Sequence, residues 1–535
     1  MESKNTTYVK QAAILASAMI FSRFLGFLYR LPLTHLIGDE GNAYYAAGYQ
    51  IYNFFLILSS AGLPAAISKM VSEREALKRY RDSRAVFRVA LTLACVMGMI
   101  CSLIVLFGAR VISSLTAQPL SYYSLLMLSP TLLIVAIVAV FRGYFQGLGT
   151  TKPTAISQIV EQIFNVIFSV LLAYLLYTRG PEFGAAGGTA GTGVGALAGL
   201  IVIVIIYNSN LPRIRRITRR SVPRQESEKS IIIKLLQTSF PIIVGTAVFS
   251  ISSMIDTFMI GQCLRASGAF TAVEIAEKFG QYSGKYIVLI TLPVTISSAM
   301  ATASVPSIAA SVAKKERDAV NRKINTGLRA SMLICVPAAI GMSVLGEGIL
   351  SLLFPGAPGG GELLRWGGVA VIFLSMAQIC TGMLQGIGRV KIPVVGAVCG
   401  ALLKIPLNLV LISNPAINVI GAVLSTLVCY IAAASIDLYF LIRCTKIKLD
   451  FGSVFFKPLG ASVVMGIIAL AAYKVLMTLI GSNLLSVAVA VACGLLAYGV
   501  IMILIGGIRP QDISGLPFIG GKLRSLLGRR SISLK

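Results

Sequence analysis

The chain has 535 residues, of which 56% are hydrophobic and only 13% charged, and it carries a net charge of +27. Soluble domains carry roughly 25% charged residues, and mean hydropathy here is +0.84, so a soluble enzyme or a nucleic-acid-binding domain is excluded. Nine cysteines without a CxxC spacing, and a single histidine, His35, leave little material for a zinc site or a histidine triad.

In chain order, Lys4 and Lys10 precede an apolar run over about 11–37. The apolar part before Ala16 and Ala18 is too short for a signal peptide and the run continues past them, so it reads as an uncleaved first span. Further spans are expected over about 43–67, 85–108, 121–146, 153–178 and 184–207. A basic linker follows. Then come spans over about 232–260, 284–310, 326–354, 364–387, 391–412, 417–442, 454–479 and 483–506. The expected fold class is an all-α polytopic membrane protein of about 14 helices.

Charge supports this order. With the N-terminus inside, the segments placed on the cytoplasmic side hold about 37 of the 47 basic residues. The charge therefore states orientation and contact with inner-leaflet lipids, with both termini cytoplasmic. No aromatic–basic interleaving points to nucleic acid.

The stretch FRGYFQGLGTTKP returns 239 residues later as CTGMLQGIGRVKIP: Gly143, Gln146, Gly147, Gly149 and Lys152 fall on Gly382, Gln385, Gly386, Gly388 and Lys391. A second echo pairs Gly62–Ser68 with Ser304–Ile308 around Pro64 and Pro306. Two parallel lobes of six helices are expected, as in transporters. The boundaries are an N-lobe over 1–210, a linker over 211–230, a C-lobe over 231–445, two extra helices over 446–510 and a basic tail over 511–535.

Ionisable residues inside a bilayer are the candidate functional groups, each costing roughly 2.5–3.5 kcal/mol at a helix centre. Arg23 and Arg30 lie on one face of the first span, about 10 Å apart along its axis, with no acid in that span. Guanidinium groups so placed suit a multi-oxygen anion such as a pyrophosphate. The alternative has Arg30 reaching the interface and Arg23 paired elsewhere. Span five carries Glu161 and Gln162, and span eleven carries Lys404, which falls opposite Asn165 at the repeat offset. Glu161 and Lys404 are expected to pair or to line a polar cavity. Asp256 is the candidate for a coupling cation, with a helix-end solvent contact as the alternative. Lys285 supplies a further positive charge or sits at the interface. The glycine run Gly184–Gly199 reads as helix packing and not as a phosphate loop, because no GK[ST] follows. Nothing resembles a nucleotide site, so no cofactor is expected. Work must come from Na+, H+, the membrane potential or the substrate gradient.

FSRFLGFLYR, GLPAAISKMVSE, FRGYFQGLGTTKPTAISQIVEQ, FGQYSG and SVPSIA together resemble the polysaccharide-transporter branch of the MATE-like (MOP) flippase superfamily. Within it they are similar to the group of the stage V sporulation proteins B and the MurJ-type lipid II flippases. The resemblance covers about residues 5–510. It implies a non-enzymatic flippase that moves a lipid-linked cell-wall precursor, lipid II, from inner to outer leaflet of the bacterial cytoplasmic membrane by alternating access. It implies that Arg23 and Arg30 contact the pyrophosphate and that the last two helices form a groove for the lipid tail. Its partners would be the lipid-linked saccharide, membrane lipids and the cell-wall synthesis machinery. Some relatives carry arginines on the second and eighth helices, whereas span two here has no Lys or Arg between Asn42 and Ser68. That thinner cationic cavity leaves another lipid-linked oligosaccharide (capsule, teichoic or spore cortex) as the alternative, and a cation-coupled multidrug exporter behind it, disfavoured by the arginines.

Overall fold

The computed structural model describes residues 21–507 apart from Arg23, Phe27, Arg220, Ser221, Val222, Arg224, Gly356, Pro358 and Lys448. The described residues are helical, without strands. They divide into two compact units, at Gly284 and Lys285.

The first unit holds α1 (Arg30–Leu56), a π-helical turn (Ile57–Ala61), α2 (Leu63–Ala76), α3 (Tyr80–Leu115), α4 (Tyr122–Gly147), α5 (Lys152–Tyr177), α6 (Pro181–Arg219), α7 (Glu228–Ala266) and α8 (Ala272–Gly280). A π-helical turn (Gln281–Tyr286) carries the division. The second unit holds α9 (Ile287–Ala313), α10 (Arg317–Leu353), α11 (Gly361–Gly367), α12 (Ala370–Gly386), α13 (Lys391–Ile412), α14 (Ile420–Thr445), a π-helical turn (Gly452–Phe456), α15 (Lys457–Ile480) and α16 (Asn483–Leu504).

Eleven helices among the described residues are long and apolar enough to cross a membrane, or twelve if α11 and α12, bent by 55°, form one span. The chain is thus a multi-pass membrane protein. Fourteen spans remain an expectation. Part of the reason is that the first span begins outside the described residues, and its end joins the second in one stretch, Phe24–Ala76. That stretch is kinked at Gly38, whose φ of 67° is left-handed and suits a residue without Cβ. Helices also run further than hydropathy implied. α6 continues to Arg219, so half of the expected linker is helical. Arginine is a good helix former, and hydropathy reports lipid contact, not helix length.

The repeat is visible in the backbone of each unit taken alone. α4 and α12 end alike, with Gly149 and Gly388 at φ 79° and 80°. Thr150 N–H donates to Phe145 O, and Arg389 N–H to Leu384 O, closing the same helix-end turn. α2 and α9 also end alike, at Lys78 and Lys315, with φ 58° and 60°. Arg79 N–H donates to Arg74 O, and Glu316 N–H to Ser311 O.

Glycines set how closely the repeated helices approach. A Cβ on Gly143 would lie 2.8 Å from Pro64 Cα, and one on Gly147 2.6 Å from Val71 Cβ. A Cβ on Gly382 would lie 2.7 Å from Ala301 Cα, and one on Gly386 3.0 Å from Ile308 Cβ. These contacts pair Pro64 with Ala301 and Val71 with Ile308. The match drawn from sequence between Pro64 and Pro306 is therefore out of register by five residues. The structural register follows the close approach, not the proline. The small-residue reading of Gly184–Gly199 holds: Gly187, Gly191, Gly195 and Gly199 of α6 all pack against α5, and a Cβ on Gly191 would meet Ser169 N at 2.2 Å.

Candidate functional site

In the first unit, α1 and α5 carry the polar side chains singled out from sequence. Arg23 lies outside the described residues. The Arg30 guanidinium lies over two tyrosine faces, 5.1 Å from the Tyr45 ring centre and 5.6 Å from that of Tyr49. Those rings stack on each other at 5.6 Å and 12°. Helical spacing puts them one turn apart on α1. The hydroxyls of Tyr29 and Tyr45, 2.8 Å apart, pin the first ring. Among the described residues no carboxylate forms an ion pair with Arg30. The tyrosine faces hold the cation by its π-attracting plane and Tyr29 takes a side-chain hydrogen bond from it, which leaves its remaining N–H donors for an anion.

Glu161 has a protein cation of its own. Arg142, one residue before the repeated Gly143, donates to Glu161 Oε2 at 2.6 Å and to Ser157 Oγ at 3.0 Å. Glu161, expected to pair with Lys404 or to line a polar cavity, is bonded inside the first unit, to Arg142. Arg142 was not among the residues singled out from sequence, although its spacing to the start of α5 was a usable signal. Gln162, next along α5, reaches toward the chain just before α1: its Nε2 lies 3.4 Å from where a Cβ on Gly26 would be.

Asp256 is buried, at 4% exposure, and accepts a 2.6 Å hydrogen bond from Tyr282 Oη. The solvent-contact alternative therefore fails. FGQYSG supplies that tyrosine. Its Gly280 and Gly284 press on Asp39 and Asn42 at the start of the second span, and Gln281 Nε2 donates to Asp39 Oδ2 at 3.1 Å.

In the second unit Lys285 is fully buried, which overturns the interfacial alternative. Its ammonium donates to Ala357 O and, at 3.1 Å, to Gly359 O, and it lies 5.5 Å from the Phe354 ring centre. These two carbonyl oxygens accept from the buried ammonium. Lys404 is 1% exposed on α13. The counterpart of Glu161 is instead Asp437 on α14. Thr381, at the repeat position of Arg142, donates to its Oδ2 at 3.1 Å. Each acid also sits against a glycine of its own helix hairpin: Glu161 against Gly199, Asp437 against Gly396. The acid has changed helices between the copies, which a fixed offset cannot reveal.

A cavity of about 520 Å³ lies among α9, α10, α15 and α16, lined by Leu292, Pro337, Gly341, Met465, Ala490 and Leu495 among others. Its lining is apolar throughout save Tyr498, whose hydroxyl is turned away to donate to Leu333 O at 2.9 Å. A dry groove of this kind takes a hydrocarbon chain and no polar ligand. Among the described residues no cluster of His, Cys, Asp and Glu is built to hold a metal.

The family model for polysaccharide biosynthesis proteins matches residues 8–312, more than half of the chain. The chain belongs to this family. A second model, that of the MATE transporters, matches residues 241–410. Stage V sporulation protein B of Bacillus subtilis is 25% identical over 96% of this chain and 98% of its own. The lipid II flippase MurJ of the same organism is 27% identical over 78% of this chain and 80% of its own. Among solved structures, a lipid II flippase MurJ in an inward closed conformation superposes with a TM-score of 0.68, at 16% identity, covering 92% of this chain and 98% of that one. An inward-facing multidrug-resistance MATE transporter of the MOP superfamily gives 0.65 at 15% identity, covering 79% and 94%. The resemblance drawn from the sequence motifs is thereby shown, and so is the MATE-like fold.

Proposed function

We propose that the protein is a flippase for a lipid-linked saccharide precursor carried on a polyprenyl pyrophosphate, with lipid II as the leading substrate. The observation that carries this reading is Arg30, a cation in a membrane span held on two tyrosine faces without an ion-paired carboxylate. A pyrophosphate is the anion its fork of donors matches. A cationic drug would be repelled there. The apolar groove of the second unit suits the polyprenyl tail. The relative named as a lipid II flippase supports the same class of cargo. On this reading the two repeats alternate access to a bacterial cytoplasmic membrane with both termini inside. No covalent chemistry is required of the protein.

The test is a leaflet-reporting assay in proteoliposomes with lipid II and, separately, with another undecaprenyl-pyrophosphate glycan. Wild type should move at least one of them. Arg30→Met should abolish movement of both. Gly341→Phe should do so by filling the groove, since a Cβ at Gly341 meets only Met465 Cε, at 3.9 Å. Movement of neither glycan by the wild type, or full activity in Arg30→Met, overturns the proposal. Rescue of cells depleted of their lipid II flippase then decides between the two substrates.

A further inference from the structure

Three elements meet at the basic end of each unit: the turn after α2 or α9, the turn after α4 or α12, and the last turns of α6 or α14. In each unit they enclose a cavity, of about 550 Å³ in the first and 400 Å³ in the second. The two cavities are copies of one feature of the repeat, but their linings have diverged. In the first, Tyr80 and Thr150 line the wall. The structural register puts Arg317 and Arg389 in their places in the second, where Lys315 and Lys446 join them. Four basic side chains thus face a single acid, Glu316.

Three observations separate this from an ordinary solvated basic surface. Lys446 holds φ of 54° at a helix end where glycine is the unstrained residue. Ser311 lines the cavity while 3% exposed, and its Oγ accepts from Lys323 Nζ at 2.8 Å. That bond leaves the hydroxyl proton for an acceptor inside the cavity. The rim is apolar as well: Val312 in the wall is 41% exposed, and Val390, next to Arg389, is 55% exposed.

We infer that the cavity of the second unit binds the phosphate of an anionic phospholipid. The arginines and lysines ring the phosphodiester, Ser311 donates to one of its oxygens, and the acyl chains run over Val312 and Val390 along the helices. Basic pockets at the ends of membrane helices have this use in general. A soluble phosphate compound shares the charge but gains nothing from the apolar rim.

The test uses purified full-length protein in neutral detergent. It is titrated with phosphatidylglycerol or with phosphatidylcholine of the same chains, read by native mass spectrometry, with inorganic phosphate as competitor. Wild type should retain phosphatidylglycerol over phosphatidylcholine, and phosphate should compete weakly. Arg317→Gln with Arg389→Gln should weaken retention about 30-fold, the loss of two cations near a membrane surface. Arg317→Lys with Arg389→Lys should stay close to wild type. Lys446→Glu, an exposed position, supplies an independent variant should the double change fail to fold, and should weaken retention too. Equal retention of both lipids, displacement by phosphate as effective as by lipid, or unchanged retention in the glutamine or glutamate variants overturns the inference. None of these readouts depends on transport.

Discussion

The bond between Arg142 and Glu161 decides whether Glu161 is committed to the fold, and a double-mutant cycle measures that. The two side chains are 17% and 27% exposed and lie 2.6 Å apart. A surface pair contributes about 0–1 kcal/mol, whereas losing one partner of a buried pair costs about 3–5 kcal/mol. Partial exposure and a short charge-assisted bond place the coupling near 2 kcal/mol. Arg142→Met leaves Glu161 against Gly199 without its cation, and Glu161→Met leaves the Arg142 guanidinium with Ser157 alone. Each single change should therefore destabilise by about 2–3 kcal/mol, and the double change by about 2 kcal/mol less than their sum. Reversible unfolding in detergent, followed by helical signal, gives all four corners. A coupling below about 0.5 kcal/mol refutes the reasoning and returns Glu161 to the substrate site.

Three further outcomes are expected. Thermal stability should fall in the order Gly191→Ala, Gly147→Ala, Gly386→Ala, because the new Cβ would meet Ser169 N at 2.2 Å, Val71 Cβ at 2.6 Å and Ile308 Cβ at 3.0 Å. Overpacking costs about 1–3 kcal/mol, and a reversed order in melting temperatures contradicts the contact argument. Glu226, between α6 and α7, accepts from Arg74 at 2.6 Å and from Lys234 at 3.0 Å. Burial alone would raise its carboxyl, but those two cations hold it below the ordinary 4.5. A depressed carboxyl stabilises the fold above its unfolded value and loses that contribution as pH falls through the folded one. The stability gap between wild type and Glu226→Gln should thus close on acidification below about pH 4.5, and a gap that widens there has the wrong sign. Asp437 is 2% exposed, and among the described residues its Oδ1 has no hydrogen-bond partner. Asp437→Asn keeps an oxygen for Thr381 and removes a buried charge, so melting should be unchanged or higher. A clear loss of stability means that a partner for Oδ1 exists.

Membrane class, helical architecture and the repeat were legible in the chain itself, because lipid forces both. A bilayer demands long apolar helices with internal hydrogen bonds, and composition records that demand residue by residue. The identities at Gly143, Gly147 and Gly149 survive in the second copy where close helix approach or a left-handed turn admits little else. Pairings are another matter, since they depend on which helix face meets which. The chain offered Lys404 as one partner for Glu161 and did not single out Arg142, which bonds it in the folded chain. The sequence echo set Pro306 on Pro64, whereas the contacts set Ala301 there. Lys285 was open to a further positive charge or an interfacial placement, and the fold buries it on two carbonyl oxygens. Charge and hydropathy are properties of a residue and can be read along the chain. The identity of a buried charge's partner is a property of packing, and only the tertiary structure decides it.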